Sequence, residues 1–218
     1  MKIKVIITGT TGMVGEGILH QCLQRNEVES ILVINRKPCG VTHPKLKEII
    51  HSNFFDLTAI EDKLQGYNAC YFCLGVSSIG MKEEEYTKMT YTLTMNVAKT
   101  LKKLNTDMTF CYISGAATDS SEKGKQMWAR VKGKTENDLM KLPFKQVYAF
   151  RPGFMKAFPE AKNTLKYYKY FSWTYPLLRA LKMATTLKEV GDAMVNITIN
   201  GYKKKVIEIP DIIVLANI

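Results

Sequence analysis

Three glycines near the start of the chain, Gly9, Gly12 and Gly15, stand in the spacing Gly-x-x-Gly-x-x-Gly. They follow Val5, Ile6 and Ile7, an apolar β-branched run suited to a strand covered on both faces. Strand, glycine turn and helix start in that order form a phosphate cradle. The first glycine makes the tight turn, the second lets a pyrophosphate approach the backbone, and the third lets the helix pack on the strand. Thr11, Met13 and Val14 stand between these glycines, where helix-start N–H groups face the phosphates. The implied chemistry is dinucleotide binding. A carboxylate about 20 positions further on would hold a ribose 2′-hydroxyl, but this chain has Asn35-Arg36-Lys37 there. Arg36 can fork two hydrogen bonds onto a 2′-phosphate, which favours NADP over NAD.

The elements that must position these residues alternate. A helix is expected over 13–25, strands over 30–35 and 46–51, and a helix of about two turns from Asp56, its expected N-cap. Strands follow at 68–74, 109–114 and 146–150, with helices at 83–104 and 125–141 between them. Leu74-Gly75-Val76 ends the fourth strand, where glycine permits close backbone approach to the cofactor. Alternation of this kind argues an α/β, Rossmann-type doubly wound parallel sheet of order 3-2-1-4-5-6, with the ligand at the carboxyl ends of the strands. Residues 1–153 make the expected nucleotide-binding domain. Residues 154–218 are expected as a small C-terminal lobe packed on it, with helices at 177–183 and 187–199, a last strand at 205–209, and an aromatic-rich stretch at 167–175.

A chain of 218 residues with 46% hydrophobic content suits such a domain. No apolar run is long enough to cross a bilayer, and Met-Lys-Ile-Lys-Val leads directly into a strand with no signal-peptide pattern. Five cysteines fall mainly in buried-looking runs, so reduced thiols and a cytoplasmic location are expected. Cys70-x-x-Cys73 lies within a strand pattern, with no helix N-terminus to activate it. His20, His43 and His51 lack metal-ligand spacing, and no metal is expected. Net charge is +11, and residues 121–170 hold twelve Lys/Arg against four Asp/Glu. A solvated helix face explains such a run, while a clustered surplus also attracts a phosphorylated metabolite, a nucleic acid or a membrane. No nucleic-acid motif accompanies it. The expected partner is a small molecule, anionic or nucleotide-linked.

Thr8-Gly-x-x-Gly-x-x-Gly15 resembles the extended and atypical short-chain dehydrogenase/reductases, which include nucleoside-diphosphate-sugar epimerases. The resemblance runs from about Lys2 to Phe154. Its further pieces are Asn35-Arg-Lys37, Phe72-Cys-Leu-Gly75, Val131-Lys-Gly-Lys-Thr-Glu136 and Phe150-Arg-Pro-Gly153, and it looks most like a small group containing a Tat-interacting NADPH-binding oxidoreductase. The resemblance implies that Asp56 and Leu57 contact adenine, that Pro152, Gly153 and Phe154 border the cofactor, and that a C-terminal lobe shapes the substrate site. It also implies a Ser, a Tyr and a Lys, the last two as Tyr-x-x-x-Lys on one helix. Lys132 matches the lysine, but Trp128 stands at the tyrosine position, and indole N–H donates without ionising usefully. Ser114 is the serine candidate in Ile113-Ser-Gly115, although many relatives use a second serine where this chain has Gly115. Three readings follow. One is an oxidoreductase or epimerase with an altered proton donor, such as Tyr86, Tyr112 or a substrate hydroxyl. The second is a non-catalytic NADPH-binding sensor or scaffold. The third is a surface binder that uses the 121–170 charge.

Overall fold

Alternating apolar residues decide how the sheet is covered. On the first strand, β1 (Ile3–Thr8), the side chains of Ile3, Val5 and Ile7 join one core and Ile6 joins the other. β2 (Val28–Asn35) repeats this, with Ile31 and Val33 on one face and Leu32 and Ile34 on the opposite face. Side chains alternate across a strand, so an unbroken apolar run demands cover on both sides. The computed structural model describes residues 2–163 and 172–218 and provides that cover.

The sheet is parallel throughout. β3 (Leu46–Ile50), β4 (Ala69–Phe72), β5 (Thr109–Ile113) and β6 (Gln146–Arg151) give the expected order 3-2-1-4-5-6. A further strand, Val206–Glu208, pairs with β6 and extends the sheet to seven strands. On one face lie α1 (Met13–Gln24) and the tail helix Leu187–Asn200, in contact with each other. Arg25 closes that contact by donating to Asp192 (3.1 Å) and Asn196 (2.7 Å). Residues expected in the C-terminal lobe therefore cover and extend the nucleotide-binding sheet. Phe154–Lys156 and Ala184–Thr186 form a separate two-stranded sheet, and the short helix Tyr175–Ala180 lies between them in the chain. Most of the expected aromatic-rich stretch lies outside the described residues.

Two helices differ from expectation. No α-helix starts at Asp56: a 3-10 helix spans Thr58–Lys63, and the Asp56 carboxylate instead accepts the Thr58 N–H in a tight local turn. Asp caps an α-helix only if the next residues adopt helical geometry, and Leu57 and Ile60 are pulled into the core here. The long helix expected over 83–104 is continuous but changes pitch. It runs α over Glu83–Thr87 (α2), π over Lys88–Thr92, and α again over Leu93–Leu104 (α3).

The helix after β5, α4 (Met127–Met140), is tied to β6 by a buried ion pair. Arg151 donates to Glu136 through Nε (3.0 Å) and Nη2 (2.5 Å), to Ser120 Oγ (2.6 Å) and to Glu208 (3.1 Å). Removing one partner would strand the other charge away from water. Arg151→Met should cost about 3–5 kcal/mol, and joint replacement with Glu136→Leu much less. Urea unfolding of the single and double variants measures both, and equal losses would show that the charge pairing is not what matters.

Candidate functional site

An open cleft of about 760 Å³ lies at the carboxyl ends of β1, β4 and β5. Thr11, Gly12, Met13, Val14 and Gly15 line one side, Leu74, Gly75 and Val76 the floor, and Ser114, Lys132 and Met155 the far end. No Asp or Glu lines it, whereas Lys132 and Lys162 do. A polyanion can enter without meeting a carboxylate in the wall.

The glycine turn divides its work as its spacing implies. Gly9 has φ +74°, and a Cβ there would sit 2.8 Å from the Cys73 carbonyl oxygen. At Gly15 a Cβ would lie 2.2 Å from the Gly9 carbonyl oxygen, so this glycine sets the approach of α1 to the turn. At Gly12 the nearest atom is 3.5 Å away, so no protein contact forbids a side chain there. The space beside Gly12 is cleft, at the first turn of α1, where backbone N–H groups have no intrahelical acceptor. These residues fit a dinucleotide pyrophosphate.

Asn35 is buried and braces this turn. Its Oδ1 accepts from Thr10 N (3.2 Å), and its Nδ2 donates to Thr10 Oγ1 (2.7 Å) and Glu48 (3.0 Å). It therefore holds the loop and does not face the cleft. Arg36 is exposed, makes no hydrogen bond or ion pair among the described residues, and borders a small apolar pocket with Phe54, Phe55, Leu74, Met89 and Leu93. Phe54 and Phe55 occupy the wall where Asp56 and Leu57 were expected. Leu57 is core, and Asp56 is spent on its own turn. The Phe54-Phe55 pair was visible in the sequence, but only the 3-10 turn reveals that it reaches the pocket. The π segment supplies Met89 to the same wall.

At the other end, Pro152, Gly153 and Phe154 do not line the cleft; Met155 does. A Cβ on Gly153 would lie 2.2 Å from the Met183 carbonyl oxygen, so this glycine serves chain packing between the two short strands. Ser114 lines the cleft, and its hydroxyl lies 3.0 Å from that of Thr118. Thr118 donates to the Gly115 carbonyl (2.8 Å), so Ser114 is the donor to Thr118 and offers the cleft its lone pairs.

Lys132 is half-buried. Its ammonium lies 3.4 Å from the Ile113 carbonyl oxygen and 5.5 Å from the Tyr112 ring centroid. Desolvation lowers its pKa to about 8, opposed by the Glu136 carboxylate one turn along the helix. Trp128 packs toward Gly115, and its indole N–H donates to Gln126 Oε1 (2.7 Å). Tyr86 and Tyr112, considered above as proton donors, are both buried outside the cleft lining, and burial pushes both phenols up. The Cys70 and Cys73 thiols are likewise pushed up by burial. Much of the 121–170 charge is paired locally: Arg130 with Glu83, Lys134 and Lys141 with Asp138, and Lys145 with Asp107.

Residues 5–135 match the model of the NAD dependent epimerase/dehydratase family. The chain belongs to that family. Among curated relatives, a protein of Meyerozyma guilliermondii named "Protein FMP52, mitochondrial" is 26% identical over 161 residues, 73% of this chain and 68% of that protein. The leucinostatins biosynthesis cluster protein T of Purpureocillium lilacinum is 31% identical over 50% of this chain and 42% of its own. In solved structures the fold matches Bordetella bronchiseptica WbmF in complex with NAD+ (TM-score 0.69, 14% identity, 99% of this chain and 77% of that one). It also matches a UDP-N-acetylglucosamine 4-epimerase of Methanobrevibacter ruminantium (TM-score 0.68, 15% identity, 95% and 76%). The protein is thus an NAD(P)-binding member of the short-chain dehydrogenase/reductase type. The expectation of a cytoplasmic location is corrected by the relatives, four of which carry names that place them in mitochondria. Reduced thiols argue only against an oxidising compartment, so they could not separate the two locations.

Gly12→Val should abolish dinucleotide binding and leave thermal stability nearly unchanged, whereas Gly15→Val should cost about 1–3 kcal/mol through overpacking. Calorimetric titration and thermal melts separate the two, and normal binding by Gly12→Val would remove the phosphate from this turn. Lys132 adds a pH signature. Between about 8 and 10.5 the unfolded chain holds a proton that the folded chain has released. Stability therefore rises with pH across that window. Lys132→Met should be more stable than wild type at neutral pH, with the difference shrinking as the pH passes upward through the window. A pH-independent difference would refute the depressed lysine.

Proposed function

We propose that the protein binds NADPH and reduces the carbonyl group of a small anionic or nucleotide-linked compound, with Lys132 taking the place of the phenol as proton donor. The observation that carries this reading is Lys132 at the end of the cleft, with a pKa lowered to about 8 and no tyrosine beside it in the cleft lining. Glycine turn residues Gly9, Thr11, Gly12, Met13 and Val14 would hold the pyrophosphate. Leu74, Gly75 and Val76 would lie along the dinucleotide, and the adenine would enter the Phe54–Phe55 pocket. Arg36, free and at its edge, would pair with the 2′-phosphate. When bound, the nicotinamide supplies hydride exchange. The Lys132 ammonium would give its proton to the carbonyl oxygen as negative charge develops there, and water in the open cleft would restore it. Ser114, its hydroxyl proton directed at Thr118, would accept a hydrogen bond from a substrate hydroxyl. The sugar-nucleotide enzymes of like fold support a nucleotide-linked substrate, and the names of the fungal relatives support a mitochondrial setting.

A second reading is favoured by one observation. Trp128 fills the tyrosine position with its N–H already satisfied by Gln126, which suits a protein that keeps the cofactor and has no turnover.

Three measurements test these readings. NADPH should bind more tightly than NADH in calorimetric titration, and Arg36→Glu should erase the difference; equal affinities in wild type would refute the 2′-phosphate assignment. Turnover should decline as pH rises above about 8, and Lys132→Arg, which keeps the charge but not the acidity, should lower kcat about 10²–10⁴-fold with KM little changed. Trp128→Tyr would install a phenol beside Lys132 and should raise activity. Cofactor binding without turnover in wild type, gained only in Trp128→Tyr, would establish the second reading.

A further inference from the structure

Lys132 and Lys162 both line the cleft, and only Lys132 has been given a task. Lys162 is exposed, and its ammonium has no hydrogen bond or ion pair among the described residues. It belongs to the stretch 157–163, which follows the short strand Phe154–Lys156. Phe158-Pro-Glu-Ala161 makes a turn there, closed by the Ala161 N–H donating to the Phe158 carbonyl (3.1 Å).

Two residues of α1 hold this stretch. Glu16 accepts from the backbone N–H groups of Lys162 and Asn163, one carboxylate oxygen to each, both at 2.8 Å. His20, one turn on, stacks on the Phe158 ring with centroids 4.6 Å apart and planes inclined by 15°. Residues four apart share a helix face, so both contacts come from one side of α1. Glu16 lies in the first turn of α1, where its own N–H donates to the Gly12 carbonyl (2.9 Å). The clasp on Lys162 is therefore built one turn from the glycine that opens onto the cleft. A carboxylate so close to a diphosphate would repel it, but Glu16 does not line the cleft, and both its oxygens are engaged by charge-assisted bonds. What reaches the cleft from the clasped stretch is Lys162, together with Asn163.

We infer that Lys162 binds the pyrophosphate of the dinucleotide, and that Glu16 is the positioning residue that brings it there. The inference rests on the cofactor assignment proposed above and adds to it a contact from beyond β6. From Thr8 to Gln24 the chain has no Lys or Arg, so the glycine turn and α1 bring N–H dipoles to the anion but no full positive charge. Lys162 supplies that countercharge. It does not line the Phe54–Phe55 pocket that Arg36 borders, so the two cations serve different phosphates.

The test is calorimetric titration of the full chain with NADPH and with NADH. Lys162→Ala should weaken both about tenfold, the scale of one hydrogen bond to a charged group, because both cofactors carry the pyrophosphate. Lys162→Arg keeps the charge and should restore most of the affinity. Glu16→Ala should also weaken both, and adding it to Lys162→Ala should bring no further loss, since the two act through one contact. Glu16→Gln keeps one acceptor oxygen and should fall between wild type and Glu16→Ala. Thermal melts check that each variant is folded. Tighter binding by either Glu16 variant would show its carboxylate acting only as a repelling charge and would overturn the positioning role, as would full additivity with Lys162→Ala. A loss confined to NADPH would move Lys162 to the 2′-phosphate and overturn the inference. Unchanged binding by Lys162→Ala, with binding lost in Gly12→Val, would overturn it and leave the cofactor reading standing. Normal binding by Gly12→Val would overturn both.

Discussion

The Arg151–Glu136 pair is the constraint on which the Lys132 end of the cleft depends. Arg151 ends β6, Glu136 faces it from α4, Glu208 joins from the last strand, and Ser120 joins from the loop before α4. One guanidinium therefore fixes four pieces of chain. Lys132 lies one helical turn before Glu136, so the rotation of α4 that seats Glu136 also sets where the Lys132 ammonium emerges. The same carboxylate helps keep Lys132 charged while burial opposes it. Placement and acidity of the lysine thus share one origin. The pair is weak as a source of stability, because its desolvation offsets much of its attraction, and strong as a device for orientation.

The sheet and the glycine turn were legible in the sequence because each rests on sterics that a short window contains. Val5-Ile-Ile7 can only be a doubly covered strand in this setting, and Gly9, Gly12 and Gly15 answer separate local demands of one turn. The wall of the pocket beside Arg36 was not legible to the same degree. Asp56 looked like a helix cap, yet burial of Leu57 and Ile60 selected a 3-10 turn and brought Phe54 and Phe55 to the pocket. That choice depends on which apolar groups the core accepts, which no local pattern records. Gly153 shows the same limit. The position needs glycine against the Met183 carbonyl, thirty positions away in the chain.

Electrostatic roles were partly legible. The absence of a carboxylate after β2 is a sequence fact, and the structure leaves Arg36 unpaired beside the pocket. Asn35, adjacent in sequence, proved to be a buried brace, because its amide satisfies donors and acceptors of the turn at once. The excess charge of 121–170 looked like one feature but divides into local pairs once partners from α2 and the loop before β5 are in place.

The π segment at Lys88–Thr92 carries a consequence for comparing this chain with its relatives. A π turn accommodates one more residue than an α-turn over the same length of axis. A relative whose helix is α throughout would therefore superpose with α2 and α3 only if its alignment carried a one-residue gap between them. Without the gap, every position on one side would be compared with a neighbour about 100° around the helix, exchanging inward for outward faces. Met89, which reaches the pocket wall from within that segment, would then be matched to a residue of unrelated role. Low identity across this helix can thus be an error of register more than a difference of architecture.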